Sequence, residues 1–251
     1  MNDPTSFLEQ LKRSFAIAKK DRIYYSKGMV VILGLMMPLF LALAYTIGRN
    51  ISAEALMPGL LGMTIFFTAT SVGPGIMPWE TRARTLERLV SAPVSGWALF
   101  LGDVMASFLF GVLITMAVVI IAFFLGVSVV YPLILGFGMI LACFAFAAFG
   151  ILLSTPPSDT PATIMMLSSV IKFPLIFISG VFIPISELSY WGRVVSSFSP
   201  LTYFTDLARY CVQGRSYYPI TLDFTVLLAF SVAFLILGIK LHERTLPKRL
   251  Q

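Results

Sequence analysis

A single lysine, Lys172, stands in the middle of the run Thr163–Ile183, whose other residues are apolar or uncharged. Placing a charge at the centre of an apolar helix in a bilayer costs about 2.5–3.5 kcal/mol, so the ammonium must face protein, water or a counter-charge. Two chemistries follow. Lys172 could line a path through the membrane with Phe173, Ser179 and Phe182 and bind an anionic group such as a lipid phosphate. Alternatively, Phe173-Pro174 bends the run and Lys172 pairs internally. Asp206 and Arg209, three residues apart, are spaced to pair with each other on one helix face.

Other chemistries are poorly provided for. His242 is the only histidine, lies just past the last apolar run, and reads as a solvated interface residue. The two cysteines, Cys143 and Cys211, sit far apart in type of segment, and no Cys-x-x-Cys or Cys/His cluster supports a metal or redox centre. An intramembrane enzyme needs ionisable groups clustered at one depth, whereas Asp103 and Asp223 fall near run ends on opposite sides. An ion-coupled transporter with its own energy source would call for mid-depth carboxylates and an internal repeat, and neither is evident. No Gly-Lys pair occurs anywhere, so the phosphate-cradling loop Gly-x-x-x-x-Gly-Lys-Ser/Thr is absent.

One stretch between apolar runs is charged and helix-forming. Pro78–Phe100 carries Glu80, Arg82, Arg84, Glu87 and Arg88 within nine positions. Glu80 and Arg84 are an i, i+4 pair with the acid first, worth a few tenths of a kcal/mol to a helix. Ala83, Leu86, Leu89 and Val90 form a modest apolar stripe, and Pro93 ends it. A helix with apolar and two-signed charged positions suits docking in a partner's groove, with Glu80, Arg84, Leu86, Glu87 and Leu89 as contacts. Ser71–Gly75, rich in Gly and Pro, is expected to kink or end the preceding run.

These residues must be held by membrane-spanning helices. Of 251 residues, 58% are hydrophobic and 12% charged, and the mean hydropathy is +0.90. A soluble domain carries about twice that charge. Six runs approach the ~20 residues a spanning helix needs: Met29–Ile47, Leu56–Met77, Gly102–Val127, Tyr131–Leu153, Thr163–Ile183 and Ile220–Leu241. The fold class is therefore all-α and multi-pass, organised as one transmembrane domain over residues 1–251. Thirteen of the 18 Lys and Arg residues lie on one side of these spans and four on the other. By the positive-inside rule both termini and the charged stretch are cytoplasmic, in the cell membrane. The net charge of +6 orients the chain in this reading and does not point to nucleic acid.

Two further elements are expected. Ser6–Glu9 fits a capping box, and Phe7, Leu11 and Phe15 recur at helical spacing among lysines and arginines, giving an amphipathic helix over residues 5–27 in the inner interface. The outer loop 184–219 is apolar and aromatic, and reads as short helices broken at Pro184 and Pro200 that dip into the outer leaflet.

The stretch Thr81–Val94, Ser179–Pro184, Ser199–Tyr203 and Arg209 together resemble the type-2 ABC exporter permeases, and the six-span layout extends the resemblance over nearly the whole chain. The resemblance implies that residues 78–98 contain the coupling helix for a separate ABC ATPase subunit. Phe7–Arg22 would be the interfacial connecting helix, and Tyr190–Arg209, with Tyr203, Asp206 and Arg209, would cap the exit. It implies a second permease copy, identical or similar, and contact with membrane lipids. This chain would bind no cofactor, ATP and Mg being on the partner. The expected function is export of an amphipathic substrate (a drug-like molecule, a lipid or a lipid-linked glycan) with no enzymatic site in this chain. An ATP-independent secondary transporter and an intramembrane enzyme are the alternatives. Lys172 departs from that family's pattern, which has an uncharged residue there.

Overall fold

The structure is a computed structural model; it describes residues 7–25, 36, 38–40, 43–44, 52–82, 94–156, 158 and 160–249. Among them the regular structure is helical: α1 (Phe7–Tyr25), α2 (Ala53–Arg82), α3 (Gly96–Phe124), α4 (Pro132–Leu153), α5 (Pro161–Ile178), a single 3-10 turn (Ile185–Glu187), α6 (Tyr190–Ser196), α7 (Pro200–Gln213) and α8 (Ile220–Arg249). Five helices are long and apolar enough to cross a membrane: Ala53–Thr81, Gly96–Phe124, Pro132–Leu153, Pro161–Ile178 and Ile220–Thr245. The chain is an all-α, multi-pass membrane protein. The expected first span, Met29–Ile47, lies largely outside the described residues, as does the charged segment 83–93.

Helix α2 is the axis of the bundle. It packs on α3, α4, α5 and α7, and its most apolar stretch is mostly buried inside the protein, whereas α3, α5 and α8 leave most of theirs on the surface. The core gathers Phe66 of α2, Phe100 of α3, Phe146 of α4 and Phe204 of α7, all fully buried. Phe66 meets Phe146 edge-on at 5.1 Å, the geometry the ring quadrupoles favour. Small residues let the backbones approach, as is usual where lipid supplies no hydrophobic drive between helices. A Cβ on Gly59 would fall 2.4 Å from the Val181 carbonyl oxygen, and one on Gly150 would fall 2.7 Å from Thr70 Cα.

One expectation is corrected here. The second span does not end at Ser71–Gly75; α2 runs on to Arg82 with Pro58, Pro74 and Pro78 inside it. Each proline deletes an N–H and leaves the carbonyl four residues earlier without its helical partner. Two of those carbonyls are capped from elsewhere. Glu54 O, freed by Pro58, accepts from Gln213 Nε2 at 2.9 Å. Thr70 O, freed by Pro74, accepts from Lys172 Nζ at 3.1 Å. At Pro58 and Pro74 neighbouring helices supply the missing donors.

Candidate functional site: the two ends of the bundle

The end of the bundle at α1, called inner here after the orientation expected from the Lys and Arg count (the opposite end is called outer), is organised by α1, whose faces are the reverse of a soluble helix. Gln10, Ser14, Ile17, Ala18 and Asp21 are buried against the protein, while Phe7, Leu8 and Phe15 are more than half exposed. The expected apolar residues thus face outward, Leu11 being half-buried between the two sets. The polar stripe at 10, 14 and 21 follows helical spacing and was readable in the sequence, but it draws no attention beside the aromatics.

Helix α1 grips both flanks of the segment 83–93. On the entry side, Lys20 is ion-paired with Glu80 in the last turn of α2, and its Nζ also lies 3.2 Å from Asp21 Oδ1. On the exit side, Gln10 Oε1 accepts from the Ser95 backbone N–H at 3.1 Å and from Ser95 Oγ at 3.2 Å. This supplies an acceptor to an N-terminal N–H of α3, whose N-cap serine makes no capping bond of its own. Ser14 Oγ donates to Ala98 O at 2.8 Å, Phe7 stacks on Trp97 at 5.4 Å, and a Cβ on Gly102 would touch Ile17 at 2.8 Å. One rigid helix therefore fixes where the chain leaves α2 and where it re-enters α3.

Glu80 is buried in this arrangement and faces α1. Arg84, Leu86, Glu87 and Leu89 lie outside the described residues. Burial would lower the Lys20 ammonium, but attraction to Glu80 and Asp21 outweighs it and holds the group above its ordinary value. Burial raises the Asp21 carboxyl, against the pull of Lys20. Asp103 of α3, also buried, hydrogen-bonds to it and, like Lys20, pulls it down against the burial. His242 is corrected from a solvated residue to a buried one, 5.9 Å from the Phe100 ring.

The outer end is built differently. Helix α5 stops at Ser179-Gly180, where Gly180 adopts φ +73°, a left-handed value that costs other residues roughly 1–2 kcal/mol. The turn exposes two carbonyls, and α7 caps both. Thr205 Oγ1 donates to Ser179 O at 2.7 Å, and Arg209 Nη2 donates to Gly180 O at 3.0 Å. The Ser-Gly turn and the later Thr-Arg pair are thus two halves of one joint. Helix α7 is buried almost throughout, with Thr205 against Gly62 of α2 and Leu207 against Gly138 of α4. It is tied to α6 by Thr202 Oγ1 and Tyr203 Oη, which donate to Ser196 O at 2.6 Å and Ser197 O at 2.8 Å.

The expected Asp206–Arg209 pair is corrected. Asp206 accepts the backbone N–H groups of Tyr217 and Tyr218, at 2.9 and 2.8 Å, while Arg209 turns to Gly180. The two charges attract each other across the space between, and burial pulls the guanidinium below its ordinary value against that attraction. Both line an open cleft of about 530 Å³ with Pro184, Ser186, Arg215 and Tyr217. Of the residues expected on the path, Lys172 and Ser179 are buried, Phe173 is partly exposed, and Phe182 stacks on Phe177 at 5.1 Å. Ser179 and Phe182 belong to the outer joint, whereas Lys172 lies beside the α2 break. The structure does not gather the four into one site.

A family model described as ABC-2 type transporter matches residues 5–212. The match spans α1 through nearly all of α7 and so takes in both ends of the bundle. The chain belongs to the ABC-2 type transporter family. It is accordingly a membrane component of a transporter. Comparison with curated proteins finds no significant match.

Proposed function

We propose that this chain is the permease subunit of an exporter driven by a separate ABC ATPase, and that segment 83–93 is where the ATPase docks. The observation that carries the reading is the double grip of α1 on that segment, Lys20–Glu80 at its entry and Gln10–Ser95 at its exit. A segment tethered at both flanks to one helix transmits a push to the end of α2 and the start of α3 together and does not simply bend. ATP and its Mg2+ belong to the partner, because this chain has no phosphate loop. Two permease copies enclose the pathway, with both termini cytoplasmic in the cell membrane. The exported molecule is amphipathic, since the outer end offers a short mixed cleft and the exposed faces of α3 and α5 are apolar.

The test is co-purification in mild detergent from the native cell, followed by ATP hydrolysis assay. An ATPase should accompany the wild-type chain and be lost with Leu86→Arg combined with Glu87→Lys. Recovery of the chain with no ATPase in either preparation would refute the reading. A secondary transporter draws no support from the buried carboxylates. Asp103 sits beside α1 at the inner end, and Asp223 sits at the outer start of α8.

A further inference from the structure

Helix α2 has its hydrogen-bond ladder interrupted at the level of Thr70–Pro74. Pro74 removes the N–H that Thr70 O would have accepted. The carbonyl is instead held by Lys172 Nζ at 3.1 Å, with Ser71 Oγ 3.5 Å from the same nitrogen. Lys172 is buried, at 4% exposure, so bulk water does not share the task. On the other side of the break α4 presses backbone to backbone: a Cβ on Gly150 would lie 2.8 Å from Thr70 O, and one on Gly73 would lie 2.9 Å from Gly150 O. Phe67 and Phe173 meet at 6.1 Å beside the joint. Three helices thus converge on one freed carbonyl, and its charged donor is Lys172 of α5.

We propose that Lys172 is a positioning residue that latches α5 to the proline break of α2. The cytoplasmic third of α2, ending at Glu80 and Arg82, then moves only together with α5 while the latch is closed. Proline sites are where helices bend sharply. A movement of the lower part of α2 about Pro74 would carry Thr70 O away from the ammonium. An unpaired ammonium at that depth is expensive, so the latch opens when α5 turns Lys172 toward water or another acceptor. Bending of α2 and rotation of α5 become one step, as a switching element with two discrete arrangements requires. The latch rests on the proposed function only for the origin of the force, not for its own existence.

The experiment is a double-mutant cycle on the full chain in nanodiscs, read by hydrogen–deuterium exchange of the amides of residues 75–82 and by thermal unfolding. Pro74→Ala restores the N–H and gives Thr70 O its helical partner. Lys172→Met in the wild-type background should accelerate exchange of 75–82 about tenfold, the change expected for loss of one hydrogen bond to a charged donor. In the Pro74→Ala background the same change should have at most a small effect. Lys172→Gln, which keeps an N–H donor, should recover part of the loss and serves in the cycle if Lys172→Met does not fold. Equal effects of Lys172 replacement in both backgrounds would overturn the proposal, as would no effect on 75–82 in either. Neither result depends on an ATPase, so failure of the latch and failure of the docking reading are distinguishable.

Discussion

The inner and outer ends of this bundle join consecutive helices with different chemistry. At the inner end, long side chains of α1 reach the flanks of segment 83–93, and the ion pair there includes a lysine whose side chain is 38% exposed. At the outer end, α7 is buried and its side chains donate to carbonyls of a turn. Partly exposed ion pairs are worth about 1 kcal/mol or less and adapt in geometry, whereas a buried donor on a carbonyl fixes one arrangement and is costly to remove. On the proposed function, the inner end passes displacement along and the outer end moves as a unit.

The largest effect should come from wedging the outer joint apart. Gly59→Leu puts a side chain into the Val181 carbonyl; overpacking against backbone costs roughly 3 kcal/mol or more, and we expect loss of the folded peak on size-exclusion chromatography. Arg209→Ala leaves Gly180 O without its donor and should lower stability by about 2–3 kcal/mol, measured by denaturant titration in detergent, with Arg209→Lys recovering part. At the inner end, Gln10→Ala removes both bonds to Ser95 and should cost only about 1 kcal/mol. If it destabilises as much as Arg209→Ala, the contrast between the two ends is wrong.

The smallest effect sharpens the comparison through pH. The Asp21 carboxyl is raised by burial, so its neutral form is the one the fold prefers. Stability from that group is therefore present at acid pH and is lost as pH rises through its folded-state value. Asp21→Asn should be more stable than wild type at pH 7, and the difference should vanish below pH 4, where both side chains are neutral. Melting temperatures across that range decide it.

Much of the fold is legible in the residues, and the departures have physical causes. Spans 3 to 6, α1 and the short outer helices appear where hydropathy and proline placement put them. Span 2 does not stop at Pro74, because the donor that rescues its carbonyl sits on Lys172, about a hundred residues later. No local pattern reveals a side chain bonded to a distant carbonyl. Lys172 itself stands out by its charge, but its partner is backbone and so is invisible in any reading of side-chain pairs. Asp206 and Arg209 fail as an i, i+3 pair for the same reason, each being drawn to backbone groups left open by neighbouring turns. His242 reads as solvated in the sequence yet is buried, because α8 continues as a helix beyond the apolar run, which keeps it under Phe100.

The measurement that tests the central claim most directly is photo-crosslinking from position 86 within segment 83–93, in intact cells. A photoreactive residue in place of Leu86 should capture a polypeptide carrying a phosphate-binding loop, identified by mass spectrometry. The yield should fall when Gln10→Ala and Lys20→Ala together release the grip of α1. Crosslinks to lipid alone, with an otherwise well-folded and abundant chain, would contradict the account.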